Sequence, residues 1–289
     1  MLWLTLSLLT ALAVASQDAW IKKHFSHLSA YDMLVFPFLF GLPLFLVTLP
    51  FVTVPPLDEV FYWSFLLSLP INFISFLIYM KAIRVSPLSL TLPYLAFTPA
   101  FMIFTGYVFL DEMPNQWGIA GIILTCIGGY VLNLAPGRYS VLEAVKAVFK
   151  ETGSWLMLIV ALIFAFGAVI GKLGILHSSP LFFTMAFFAV LSFVTSLVLL
   201  ILGSVRLMTF RKYWVKGFIA GLLFFIHCLA HGFAISMIKA GYMISIKRFS
   251  VLIGIIYGGM FFKEKYIVLR FLGAGMMVAG AVLITIWGK

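Results

Sequence analysis

The chain is short of charge. Of its 289 residues, 10% are Asp, Glu, Lys or Arg, against about 25% in a soluble domain. An ordinary solvated surface over a soluble core is therefore excluded. Carboxylates are scarcer still, with nine Asp and Glu against 19 Lys and Arg. Only Asp18 stands near an apolar segment; the other eight fall in loops or at predicted helix ends. That disfavours a cation-exporting antiporter built on a mid-membrane carboxylate, and an intramembrane enzyme built on convergent acids and bases. The two cysteines, Cys126 and Cys228, both lie in apolar runs, so there is neither a disulfide framework nor a cysteine metal spacing. No nucleotide-binding loop, catalytic triad or redox motif occurs. The chain is read as a non-enzyme with no cofactor, and ATP-driven transport by this chain alone is not expected.

What is present is apolar: 64% of the residues are hydrophobic and 17% aromatic. Apolar runs of about 20 residues, the length that spans a bilayer as helix, recur along the whole chain. The pattern predicts an all-α polytopic membrane protein of ten helices, at 2–21, 30–51, 60–82, 87–109, 116–135, 153–174, 180–203, 214–237, 241–262 and 267–287. The first contains Ala13-Val14-Ala15, which resembles a cleavage site, but no Lys or Arg precedes Lys22. A signal peptide needs a basic leading region, so this segment is read as a helix. The net charge of +10 reads as loop charge that sets topology, not as a nucleic-acid site, because no basic segment is long enough to form a domain.

The two halves repeat. Shifting the first half by 152 places Ala82-Ile83 on Ala234-Ile235, Gly106 on Gly258, Phe109 on Phe261, Glu112 on Glu264, Gly121 on Gly273 and Gly128 on Gly280. Near the N-terminus a shift of 150 places Ala11-Leu12 on Ala161-Leu162, Lys22 on Lys172 and His27 on His177. Chance supplies apolar matches in such a chain, but is a poor source of Lys, His, Glu and spaced Gly together. The expected organisation is a first five-helix repeat over 1–137, a connecting loop over 138–152 and a second repeat over 153–289. An odd number of helices per half makes the halves inverted, an architecture of transporters with the site near the midplane.

Phe-Leu-Asp-Glu (109–112) and Phe-Phe-Lys-Glu (261–264), each followed by a glycine-spaced helix, resemble the drug/metabolite transporter superfamily in its ten-helix EamA-type branch. The resemblance covers the whole chain. It implies a small-molecule transporter in the plasma (inner) membrane. Ile246-Lys247-Arg248 also looks like the Lys-Arg pair with which sugar-phosphate translocators of the same superfamily bind phosphate.

Loop charge gives an orientation. Lys247 and Arg248 apart, fourteen Lys and Arg, among them Lys22, Lys81, Arg84, Lys216, Lys263 and Arg270, fall on one side, against Lys172, Lys239 and Lys289 on the other. The positive-inside rule puts the fourteen in the cytoplasm and both termini outside. The family resemblance implies cytoplasmic termini, and the charge count of this sequence is preferred.

Lys247 and Arg248 lie well inside a spanning run. A basic side chain at helix centre costs roughly 2.5–3.5 kcal/mol on insertion scales and usually faces a cavity or partner. With no carboxylate in sight, the expected counter-charge is the substrate's. Arg offers a two-pronged donor for carboxylate or phosphate; snorkelling or bonding to backbone carbonyls is the bland alternative. Thr91, Tyr94 and Thr98, at i, i+3 and i+7 beside Pro93 and Pro99, form a candidate face on the fourth helix, opposite Arg248 across the repeat axis. Gln17 is a cavity candidate, while Asp18 is expected to pair with Lys22 at i+4. Asn72, Ser75 and Tyr79 share a face of the third helix. His227 and His231, at i and i+4, could take a coupling proton. A helix–helix hydrogen bond is the plainer role, and no third ligand supports a metal. Lys172 is expected to snorkel at a mouth, and Glu112 and Glu264 to cap short loops. The leading reading is a secondary transporter, working by alternating access, for a small metabolite with an anionic group: organic phosphate, carboxylate or zwitterion. A flippase for a lipid-linked anionic headgroup and an amino-acid or metabolite exporter are the alternatives. The expected partners are that substrate, the lipid bilayer and a coupling proton, with no nucleic acid.

Overall fold

The computed structural model describes residues 1–131, 150–205, 207–262 and 270–288, and among these every regular element is helical. Helices α1 (Leu2–Phe25), α2 (Ala30–Thr48, running on as the 3-10 turn Leu49–Phe51) and α3 (Glu59–Val85) come first. The next segment joins α4 (Leu88–Thr91), a 3-10 stretch Leu92–Phe97 and α5 (Thr98–Leu110). Then follow α6 (Gln116–Val131), α7 (Thr152–Leu176), α8 (Pro180–Ile201), the short α9 (Leu207–Lys212) and α10 (Trp214–Ser236). The chain ends with α11 (Ala240–Lys247), α12 (Phe249–Phe262) and α13 (Arg270–Trp287). Among the described residues eight segments are long and apolar enough to cross a membrane, α4 to α5 and α11 to α12 counting as one each, and α6 and α13 are shorter apolar helices. Large apolar side chains such as Leu66, Phe104 and Ile201 stand exposed. Lipid tails accept them without the penalty water would impose. The chain is an all-α polytopic membrane protein.

Local chemistry sets the ends. Ser29 and Asp32 form a capping box at the start of α2, which satisfies two backbone donors reciprocally. Asp58 accepts from the Phe61 N–H at 2.9 Å to start α3. That bond and one from His177 hold the Asp58 carboxyl below the usual carboxylate range. At the end of α5, Asp111 takes a left-handed φ of 53°. Its N–H bonds to Tyr107 O, the single closure of an αL cap, and the Glu112 N–H reaches Gly106 O. The motif Phe-Leu-Asp-Glu thus works as a cap whose last side chain turns back over the helix ends.

Glycine governs the closest packing. A Cβ on Gly121 of α6 would stand 2.7 Å from the Gly280 carbonyl of α13, and one on Gly128 would stand 2.6 Å from the Gly273 carbonyl. A Cβ on Gly221 of α10 would meet the backbone of Phe40 and Gly41 in α2 at 2.5 Å. Small residues let backbones approach, as van der Waals association in lipid requires. Other close pairs are α1 with α10 and α12, α3 with α7, and α5 with α7.

Polar contacts gather helix ends at two faces. At one, the Lys22 ammonium donates to the carbonyls of Ile83 and Ser86, and the Trp20 indole to that of Lys216 at 2.9 Å. At the other, His177 meets Asp58 at 2.6 Å, Asn115 donates to the Trp287 carbonyl at 2.7 Å and Lys172 pairs with Glu112.

Three expectations need correcting. The segments expected as continuous helices at 87–109 and 241–262 are each interrupted, by the 3-10 stretch Leu92–Phe97 and at Arg248. Asp18 and Lys22 turn to different partners: Asp18 accepts from Tyr79, and Lys22 reaches backbone carbonyls. Lys172 does not snorkel, being 3% exposed and paired with Glu112. Glu264, Arg138, Lys146, Arg206, Lys263, Lys265 and Lys289, and nearly all of the connecting loop expected at 138–152, lie outside the described residues.

Candidate functional site

A cavity with room for water centres over about 120 Å³ lies where α1, α3, α5, α7, α8, α10 and α11 converge. One water needs roughly 10–15 Å³ on such a measure, so the space holds several waters or a small molecule. Two adjacent bases reach this one cavity. Neighbouring residues on a continuous helix point about 100° apart. Here Lys247 is the last residue of α11 and Arg248 its cap, and both line the cavity.

The charged residues are arranged unequally. The Lys247 ammonium is 3.2 Å from His227 Nε2 and 3.5 Å from His231 Nδ1. The other nitrogen of His227, Nδ1, is 3.3 Å from Gln17 Oε1. With both histidines neutral, each offers Lys247 a lone pair, and the Nδ1–H of His227 donates to Gln17. The i, i+4 histidines of α10 therefore hold a lysine; among the described residues no group of three His, Cys, Asp or Glu could hold a metal. Arg248 is 4% exposed, and its Nε has no hydrogen-bond partner. The Thr98 hydroxyl, also on the cavity wall, is buried and has none either.

Asp18 was missed as a cavity residue. It is 3% exposed, lines the cavity within electrostatic reach of Lys247 and Arg248, and accepts from the Tyr79 hydroxyl at 2.5 Å. The expectation that no carboxylate neighbours the basic pair is overturned. Reading Asp18 only against its own helix hid a partner 61 residues away. Lys172 also lines the cavity, tied at its far end to Glu112 and to the Ile238 carbonyl at 2.6 Å. Glu112 in turn accepts from the Ala240 N–H at 2.8 Å, at the head of α11.

Of the residues expected at the site, Gln17, Asn72, Tyr79, Thr98, His231, Lys247 and Arg248 line the cavity, whereas Thr91 and Tyr94 do not. The shared face of Thr91, Tyr94 and Thr98 presumed 3.6 residues per turn throughout. A 3-10 helix has 3.0 residues per turn, so six such residues rotate the chain by about 120° beyond the α-helical phase. Thr91 is fully buried, donates to the Pro87 carbonyl and packs at Gly153. The remaining wall, Thr184 apart, is apolar and includes Val14, Leu95 and the rings of Phe76, Phe164, Phe183, Phe187 and Phe188.

Comparison with known proteins finds a family match over the first part of the chain. The model of the EamA-like transporter family matches residues 1–134. No curated protein matches the chain. A crystal structure with 12% identity covers 96% of this chain and 96% of its own at a TM-score of 0.67, a likeness of fold alone. Residues 1–134 thus match the EamA-like transporter family, a likeness that supports membership in the drug/metabolite transporter superfamily and fits a polytopic membrane protein.

Proposed function

We propose that the chain is a secondary transporter for a small molecule with an anionic group, which binds in the cavity at Arg248 and Lys247. The two bases outnumber Asp18, whose carboxylate already accepts from Tyr79. The observation that carries the reading is the buried Arg248 Nε, left without a partner on the wall of the cavity. A guanidinium in that position is completed by an acceptor such as carboxylate or phosphate.

Alternating access between two inverted five-helix halves, over 1–137 and 153–289, belongs to the same proposal. It is supported by contacts that exchange under the repeat. Lys22 donates to Ser86 O, and its counterpart Lys172 donates to Ile238 O, the position 152 beyond Ser86. Gly121 meets Gly280 while Gly128 meets Gly273, each the other pair's repeat mates. Thr98, Gln17, Asn72 and Tyr79 complete the polar wall. A proton is the proposed coupling ion, with His227, His231 and Asp18 the groups able to carry it.

The test is uptake of radiolabelled anions into proteoliposomes. Wild-type protein is expected to concentrate at least one small organic anion under a proton gradient, and Arg248→Gln to lose that uptake while still inserting. Normal uptake by Arg248→Gln overturns the reading.

A further inference from the structure

Resting on that reading, we infer that the substrate is a monoanion with an apolar, preferably aromatic, body, seated with its head at Arg248 and its body against the phenylalanine wall of α3, α7 and α8. The formal charge of the cavity cluster sets the head. Lys247 and Arg248 against Asp18 leave one positive charge, while Lys172 is answered by Glu112. One negative charge balances the loaded cavity in a medium where uncompensated charge is costly.

The wall sets the body. It begins beside the charges: the Phe164 ring is 6.0 Å from Tyr79, whose hydroxyl serves Asp18, and 5.6 Å from Phe76 in a T-shaped contact. It continues at Phe183 and Phe187, stacked at 5.3 Å. Polar groups along this path are few, Asn72 and Thr184, and each already spends a donor within its own helix. Asn72 donates to the Ser68 carbonyl at 2.9 Å, and the Thr184 hydroxyl to the Pro180 carbonyl of its own helix at 2.6 Å. A polyhydroxylated body would leave hydroxyls against rings, where each lost partner to water is unfavourable. A flat apolar body meets ring faces and edges in the offset arrangements that aromatic groups prefer.

The test compares two carboxylates with different bodies, phenylacetate and glycerate, titrated into the full chain in detergent by calorimetry. Phenylacetate is expected to bind at least tenfold more tightly than glycerate. Arg248→Gln should abolish binding of both, and Phe164→Ala should narrow the difference. Thermal unfolding of each variant without ligand shows whether it is folded. Should Phe164→Ala fail to fold, Phe164→Leu, which keeps the volume and removes the ring, takes its place with the same expectation. Glycerate bound as tightly as phenylacetate overturns this inference and leaves the anion reading standing. Phenylacetate bound equally by Arg248→Gln, or neither compound bound by the wild type, overturns both.

Discussion

The Tyr79 hydroxyl donates to the Asp18 carboxylate at 2.5 Å, joining α3 to α1 inside the membrane. This contact holds the one acid of the cavity cluster beside two bases and gives it a donor independent of substrate. A hydrogen bond to a charged group is worth about 1.5–3 kcal/mol. Tyr79→Phe is expected to destabilise the protein by that amount in chemical denaturation in detergent. Asp18→Asn combined with Tyr79→Phe should cost less than the two singles added, since both remove one contact. Strict additivity would show that the pair does not interact in solution.

The Lys172–Glu112 pair fastens the end of α7 to the turn after α5, with the head of α11 joined through the Ala240 N–H. Removing one partner leaves a buried charge, a loss of about 3–5 kcal/mol, whereas replacing both by apolar residues is often neutral. Lys172→Met and Glu112→Leu should each lower the melting temperature strongly, and the double variant should recover most of the loss. A double variant as unstable as the worse single would argue against a closed pair.

Much of this was legible in the sequence. Apolar run length found the spans because a bilayer fixes how long a helix must be. Adjacency of Lys247 and Arg248 inside an apolar run pointed to the cavity because buried charge needs a destination. The rest depended on tertiary placement. The 3.6-residue period put Thr91, Tyr94 and Thr98 on one face beside Pro93 and Pro99, and did not show that Leu92–Phe97 would tighten to 3-10 and turn Thr91 and Tyr94 away. No proline marks the break at Arg248. Asp18 with Tyr79, and Lys172 with Glu112, are partners 61 and 60 residues apart, beyond any helical periodicity.

Packing of α6 on α13 gives a third prediction. In Gly121→Ala the new methyl would meet the Gly280 carbonyl and Ile284 Cγ1 at 2.7 Å. Overpacking of this kind costs typically about 1–3 kcal/mol. Gly275→Ala on the same helix pair meets nothing within 4 Å, and is expected to be neutral or to stabilise by about 0.4–1 kcal/mol through the unfolded chain. Equal effects of the two substitutions would contradict the close approach.

Orientation is tested independently of the site. The excess of loop Lys and Arg at one face predicts that both termini lie outside the cytoplasm. A C-terminal reporter active only in the cytoplasm should stay silent after Lys289, and one inserted in the connecting segment expected at 138–152 should be active. The reverse pattern would reject the charge-based orientation and favour the one implied by the family resemblance.

The last prediction separates the two bases. Lys247 has two imidazole nitrogens within 3.5 Å, whereas the Arg248 Nε has no partner. Arg248 is therefore the group with the most to gain from an anion, and Lys247 the group already served. Truncating a charge that meets its partner in a buried site costs binding about 2–5 kcal/mol, so Arg248→Gln should eliminate measurable anion binding. Arg248→Lys should bind poorly, because a point charge cannot replace a planar fork. Lys247→Gln should weaken binding less, since it removes field without removing the primary contact. Stability should move the other way. Replacing a buried, incompletely bonded charge by a neutral side chain is neutral or stabilising, so ligand-free Arg248→Gln should melt at or above the wild-type temperature. Lys247→Gln should melt lower, because His227 and His231 lose their shared donor. Calorimetric titration with an anion and thermal unfolding without it, on the same three variants, measure both trends. An Arg248→Gln protein that binds normally, or one that is destabilised as strongly as Lys247→Gln, would show that the arginine is a structural group and not the anion's anchor.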